Sequence, residues 1–270
     1  MGTEPTAVDI LGVPVHPLTV AELHAYLAAA IDGGQRARVL HVNAHGLNLA
    51  FEQPWLSDYL NQVELVFCDG VGVILGARLL GHSIPERITY ADWMWQLAEF
   101  AAGRGDSLYF LGARPGVAQA AADHLRARYP RLVIAGVQHG YFDRTRDHAD
   151  NRRVIEQINR ARPNILLVGM GMPLQERWLC ENWDALDVNV ALTGGAVFDY
   201  MSGELQRAPR WMTDHGLEWL GRLLIEPQRL WRRYLVGNPL FLGRVLRARL
   251  GERPRPDPRA PETAPRLGPK

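Results

Sequence analysis

The chain has 270 residues, of which 47% are apolar and 22% charged. That balance suits a folded protein with one large domain, or one domain and an appendage. Cys68 and Cys180 lie far apart with no CxxC spacing, which argues against a disulfide framework or structural zinc and for a reducing compartment. The first nine residues lack the basic-then-apolar pattern of an export signal, and no apolar run approaches the roughly 18–20 residues that span a bilayer.

The net charge of +1 hides an asymmetry. From Arg207 to Lys270 there are 14 Lys+Arg and 6 Asp+Glu, a local +8, which leaves −7 for the remainder. A basic end of this kind favours phosphates, nucleic acid or an acidic membrane surface.

In chain order, an amphipathic helix is predicted over Thr19–Ile31 with Thr19 as its N-cap. Six short aliphatic runs follow: Val39–Asn43, Leu65–Cys68, Leu108–Gly112, Leu132–Gly136, Ile165–Gly169 and Val190–Gly194. Most are continuous rather than alternating, the signature of strands buried on both faces of a parallel sheet. Helical segments lie between them: Ala44–Phe51, Ala91–Ala102, Val117–Arg128, Asn151–Arg160 and Leu174–Asn182. This alternation predicts an α/β fold with an open, mostly parallel sheet. From Arg207 to Leu250 no strand-like run occurs, and two or three amphipathic helices are expected, broken near Glu226-Pro227 and Asn238-Pro239. The Pro- and Arg-rich tail after Gly251 is expected to be disordered. The predicted division is therefore 1–205, a sheet-bearing core; 206–250, a basic helical appendage; and 251–270, the tail.

Ligands of parallel α/β sheets sit at the carboxyl ends of the strands. The polar and glycine residues there are His41 and Asn43, Asp69-Gly70, Gly112 with the turn to Gly116, Gly169-Met170-Gly171 with Gln175-Glu176, and Thr193-Gly194-Gly195 with Asp199. Glycines at such turns let backbone N–H groups approach a phosphate or a sugar. Asp69 ends an apolar strand and precedes Gly70-Val71-Gly72; it suits a general base acting on a hydroxyl, or an N-cap for the helix that follows. Gly70-x-Gly72-x-x-x-Gly76 is a loose dinucleotide fingerprint without the acidic ribose partner, so an NAD(P)-dependent oxidoreductase stands as the alternative reading. No Asp-x-Asp occurs and the only lysine is Lys270, which excludes a P-loop; any departing diphosphate would have to be met by arginine and backbone donors. No metal site is expected among the nine histidines. His45 and His139 are read as structural, and the tryptophans at 211, 219 and 231 as core or interface residues rather than a nucleic-acid patch.

Taken together, these strings resemble the WecG/TagA/CpsF family of bacterial glycosyltransferases over about Val8 to Phe241. The matching segments are Asn43, Cys68-Asp69-Gly70-Val71-Gly72, Arg87-Ile88-Thr89 with Asp92, and Phe110-Leu111-Gly112-Ala113-Arg114-Pro115-Gly116. They continue through Gly140-Tyr141-Phe142, Val168 to Glu176, Gly194 to Asp199, Arg207-Ala208-Pro209, Gly216 to Leu223, Glu226-Pro227 and Arg229. The resemblance implies a Rossmann-like six-stranded sheet with helices on both faces and a helical C-terminal appendage. It also implies inverting, metal-independent transfer of N-acetylmannosamine, a related hexose or a uronic acid from UDP to an undecaprenyl-diphosphate-linked saccharide for the cell envelope. No cofactor is then expected beyond the UDP-sugar co-substrate. Asp69 takes the position of the proposed base. Asn43, Arg87, Gln175 and Asp199 fall on substrate-pocket positions, with His41, Gly70, Asp92, Gly112, Gly169 and Gly171 nearby. Arg222, Arg229 and Arg232 fall in the appendage, whose arginines would meet the diphosphate at an anionic membrane surface. A cytoplasmic protein, peripheral on the inner face of the plasma membrane, is expected; oligomeric state is open. His41, where many members carry Thr, and Tyr90-Ala91-Asp92 depart from the family pattern beside the expected sugar pocket.

Overall fold

The computed structural model describes residues 6–251; the expected disordered tail lies outside them from 252 onward. The chain opens with a hairpin that the sequence did not announce, β1 (Val8–Ile10) and β2 (Val13–Val15). Its turn residues Leu11 and Gly12 both have positive φ, the geometry of a two-residue turn between twisted strands. Three-residue strands are too short to show periodicity. The hairpin attaches to the sheet through His16, whose N–H donates to the Val66 carbonyl at 2.7 Å.

Helix α1 (Val20–Asp32) starts at Thr19, as expected. Its hydroxyl accepts from the Glu22 N–H while Glu22 reaches back to the Thr19 N–H, a complete capping box. The six apolar runs form β3 (Ala37–Val42), β4 (Leu65–Cys68), β5 (Ser107–Gly112), β6 (Val133–Gln138), β7 (Ile165–Gly169) and β8 (Val190–Thr193). They make one wholly parallel sheet in the order β4-β3-β8-β7-β5-β6.

The connections are α2 (Ala44–Glu52), α3 (Pro54–Leu60), α4 (Val71–Leu79), α5 (Tyr90–Arg104), α6 (Val117–Arg128), α7 (Ala149–Ala161), α8 (Leu174–Asn182) and α9 (Val197–Ser202). Successive strand residues point to opposite faces, so one continuous apolar run feeds two cores. Phe67, Phe110 and Leu192 pack with α1, α5, α6 and α9 on one face. Val66, Leu111 and Leu166 pack with α2, α3, α7 and α8 on the other. Each fully buried side chain of this kind contributes about 1.5–3 kcal/mol.

The C-terminal segment forms α10 (Arg210–Asp214), α11 (Glu218–Ile225), α12 (Pro227–Trp231), a π-helical turn over Arg232–Val236 and α13 (Gly237–Arg249). The expected break at Glu226-Pro227 is present. The one at Asn238-Pro239 is not. Pro239 comes directly after the π-helical turn over Arg232–Val236, and the helix runs on through it, the irregular turn absorbing the missing N–H. Phe241 and Val245 of α13 are fully buried against the second core. This packing needs Gly76, where a Cβ would lie 2.7 Å from the Phe241 ring. Among the described residues, no helix is long and apolar enough to cross a membrane.

Candidate active site

Over the carboxyl ends of β3, β4 and β8, and beneath the C-terminal helices, lies a cleft of about 410 Å³. Its floor comes from strand ends: His41 and Asn43 after β3, Asp69 to Gly72 after β4, and Gly194 to Val197 after β8. Arg87, Thr89 and Tyr90 form one side, and Glu218, Trp219, Arg222, Arg229, Arg233 and Tyr234 form the roof.

Asp69 is fixed at its backbone by donation from its N–H to the Val42 carbonyl at 2.8 Å. The chain then turns at Gly70 (φ +114°), and Gly70, not Asp69, is the N-cap of α4, with no side chain capping the helix. The capping alternative for Asp69 is thereby corrected. Its carboxylate accepts no hydrogen bond among the described residues and stays 20% exposed in the cleft. His41 is its near neighbour, with Nε2 at 3.8 Å from Oδ2. The His41 ring is buried, and its Nδ1 lies 2.7 Å from the Thr193 carbonyl. A carbonyl only accepts, so Nδ1 carries the hydrogen and Nε2 is bare in the neutral ring. Burial holds this imidazole below its usual range, with Asp69 pulling the other way.

Asn43 caps α2 through Oδ1, which accepts from the Gly46 N–H at 3.1 Å, and lines the cleft beside Gly70. Gln175 is fully buried and positions the glycine turns. Its Oε1 accepts from the N–H groups of Gly171 and Gly195 at 3.1 and 3.0 Å, and its Nε2 donates to Glu176 at 2.8 Å. Burial pushes the Glu176 carboxyl up to about 7.

The roof is cationic. Arg87 reaches Glu218 at 3.4 Å, and Arg229 pairs with Glu226 at 2.8 Å. Arg222 lies 4.0 Å from Glu226 with its guanidinium over the Tyr200 ring. Arg233 is half-buried with no carboxylate at salt-bridge distance among the described residues, and desolvation lowers its proton affinity. Among the described residues, the Nε atoms of Arg222 and Arg233 are both buried without a partner. Buried guanidinium donors left unsatisfied in a cleft are the donor set of an anionic ligand.

The remaining predicted positions fall outside this cleft. Gly112 and Gly169 are neighbours in the β5–β7 register. A Cβ on Gly112 would meet the Gly169 carbonyl at 2.1 Å, and one on Gly169 would meet the Phe198 ring at 2.7 Å, so both glycines permit close packing. Asp92 forms an ion pair with Arg207, which in turn lies 3.9 Å from Glu218; it latches α5 to the C-terminal segment. Asp199 sits on α9, where burial raises its carboxyl pKa. Arg232 lines a second cavity of about 460 Å³, which shares His45, Gly171, Arg229 and Arg233 with the first.

Sequence reasoning missed Arg233, Glu218 and His45, the last with its imidazole pushed down to about 4 by burial and then by Arg233. No local signal announced Arg233, because Arg222, Arg229 and Arg233 lie on three successive elements, α11, α12 and the π-helical turn, and converge on the cleft only in the fold. His41 and His45 are four apart, but one ends a strand and the other lies in the first turn of α2. Among the described residues, no group of three or more His, Cys, Asp or Glu side chains could hold a metal ion.

Fold and cleft together define an α/β enzyme with a carboxylate on the sheet edge opposite a cluster of arginines. The chain belongs to the WecG/TagA/CpsF family of glycosyltransferases, whose pattern matches residues 8–255. It is similar to the N-acetylglucosaminyldiphosphoundecaprenol N-acetyl-β-D-mannosaminyltransferase of Bacillus subtilis (strain 168), at 32% identity over 178 residues that cover 66% of this chain and 67% of the relative. It is also similar to the enzyme of the same name from Staphylococcus aureus (strain NCTC 8325 / PS 47), at 27% identity over 244 residues that cover 90% and 93%. The oxidoreductase alternative gains no support from these comparisons. The Gly70–Gly76 turn has packing duties instead: Gly72 lies against Ala44 and Gly76 against Phe241.

Proposed function

We propose that the protein transfers an N-acetylmannosamine-type hexose from a UDP-sugar to an undecaprenyl-diphosphate-linked saccharide, with inversion and without a metal ion. The observation that carries this reading is the Asp69 carboxylate, spent on no cap or hydrogen bond among the described residues and lining one cleft with Arg222 and Arg233, whose buried Nε atoms have no partner there either. Asp69 takes the proton of the acceptor hydroxyl as that oxygen bonds to the anomeric carbon. The bond from that carbon to the diphosphate breaks on the opposite side, and its electron pair leaves on the diphosphate. Arg222, Arg229 and Arg233 meet the developing charge from fixed positions in a partly dry site. Asn43 and the turns held by Gln175 border the sugar.

The acceptor's lipid places the reaction at a membrane. The C-terminal segment supports this reading, since Trp211, Leu224, Ile225, Trp231, Leu235, Val236, Leu240, Leu246 and Leu250 are all exposed there. Apolar residues mixed with arginines suit reversible, salt-sensitive docking on anionic lipid. A cytoplasmic, inner-face location follows from the same reading.

The test is a panel of UDP-sugars offered with a synthetic lipid-diphosphate acceptor in chelator, with UDP release measured. Transfer that survives chelation and vanishes in Asp69→Asn, while UDP still binds, is the expected result. A chelator-sensitive rate, or an unimpaired Asp69→Asn, would overturn the metal-free mechanism or the role of Asp69 respectively.

A further inference from the structure

We infer that His41 is a positioning residue for Asp69 and relays its proton: the bare Nε2 accepts from Asp69 the proton taken from the acceptor hydroxyl. This rests on the glycosyl transfer proposed above.

The geometry carries it. Donation from Nδ1–H to the Thr193 carbonyl at 2.7 Å, with Thr193 Oγ1 at 3.1 Å, fixes both the tautomer and the ring plane. Tyr90 packs edge-on at 5.1 Å between centroids, and the ring is 4% exposed, so Nε2 has one direction to face. That direction holds Asp69 Oδ2 at 3.8 Å. In the resting site two acceptors confront each other with no proton between them, beyond hydrogen-bond distance. Once Oδ2 holds a proton, a displacement of about 1 Å completes an O–H···N hydrogen bond. The site then gains, during reaction, an interaction that it lacks beforehand, and only such interactions speed the chemical step.

The step balances. The hydroxyl O–H bond breaks as the glycosidic C–O bond forms, and the electron pair of the broken C–O bond leaves on the diphosphate. The proton goes first to Asp69 Oδ2 and then to His41 Nε2, leaving a carboxylate beside an imidazolium. The charged and titratable groups around the ring are Asp69 from the end of β4, Arg233 from the π-helical turn and Tyr90 from α5, whose ring packs edge-on against it. Burial and Arg233 keep the resting ring neutral and able to accept.

The experiment measures UDP release by the full chain, with the donor and lipid-diphosphate acceptor that the wild type uses. His41→Asn keeps an amide donor for the Thr193 carbonyl but has no acceptor at Nε2. Its kcat is expected to fall about 10- to 100-fold, within the range for assisted proton transfer, with both KM values and the melting temperature unchanged. The wild-type rate should drop on the acid side as the ring protonates, below the ordinary imidazole range, and His41→Asn should lose that limb. In His41→Gly, which opens a cavity onto the cleft, added imidazole should restore at least tenfold of the loss. A His41→Asn enzyme with wild-type kcat and pH profile overturns the relay alone. A fall in kcat that tracks a raised KM or a lowered melting temperature, without imidazole rescue, overturns it in favour of a packing role. Absence of transfer by the wild type from any UDP-sugar overturns the parent reading and the relay with it.

Discussion

The sheet edge and the helical roof face each other across the cleft, yet they are finished to different degrees. On the sheet side His41, Asn43 and Gln175 each have a backbone partner, on Thr193, on Gly46, and on Gly171 with Gly195 respectively. On the roof, Arg207, Arg222, Glu226 and Arg233 all hold buried polar side-chain atoms without a partner among the described residues. The same region exposes large apolar side chains on its outer face. Because unsatisfied buried donors are costly, a region that keeps them is built for something it binds, whereas the sheet edge is preorganised without a ligand. Rigid geometry on one side and unspent charge on the other suits a transferase, in which the attacking oxygen must be placed and the leaving group must be neutralised.

The largest effect expected is on the sheet side. Asp69→Asn should lower turnover by about 10²–10⁴-fold with UDP affinity retained, as read by kinetics and calorimetry. Loss of UDP binding instead would move Asp69 to the donor subsite and erase the distinction between the two walls.

Arg233→Met tests the roof. Replacing a half-buried guanidinium, whose buried Nε has no partner among the described residues, with an apolar chain of similar length should leave the melting temperature unchanged or raise it, while UDP affinity and rate fall. A variant both less stable and fully active would show that Arg233 is a structural residue.

The junction comes next. Gly76→Val should cost about 1–3 kcal/mol, because its Cβ would strike Phe241 and push α13 from α4. Proteolysis should then begin in the C-terminal helices while the sheet core survives. Simultaneous loss of both would show that the two regions do not melt separately.

The smallest effect concerns pH. Glu176 is an acid whose folded pKa is raised, so the folded state holds the proton more tightly than the unfolded chain. Its stabilising contribution is complete below about 4.5, the unfolded value, and is lost as pH rises through about 7, the folded one. Glu176→Gln should therefore leave stability at pH 4.5 unchanged and raise it at pH 8, as measured by denaturant midpoints. An equal shift at both would contradict the linkage.

The legible part of the molecule follows from local physics. Continuous aliphatic runs between punctuated helices announce six strands, all but the edge strand β6 buried on both faces, and position at a strand end singles out Asp69, Asn43 and His41 without knowledge of strand order. The capping box at Thr19 and Glu22 and the stop at Pro227 are local too. The strand order, by contrast, is set by packing between elements distant in sequence, and so is the gathering of β3, β4 and β8 under one cleft. Gly112 and Gly169 look like ligand turns in sequence, and the fold adds close contacts with each other and with Phe198 that no local pattern announces. Arg232 and Arg233 are adjacent and alike in sequence; the π-helical turn and the burial of Tyr234 and Phe241 decide which arginine the cleft receives. Sequence thus determined which groups are available at the sheet edge, because burial periodicity and chain turns are written locally. Only the tertiary structure decided which charges stand opposite Asp69, because helix phase and docking depend on surfaces that meet only in the fold.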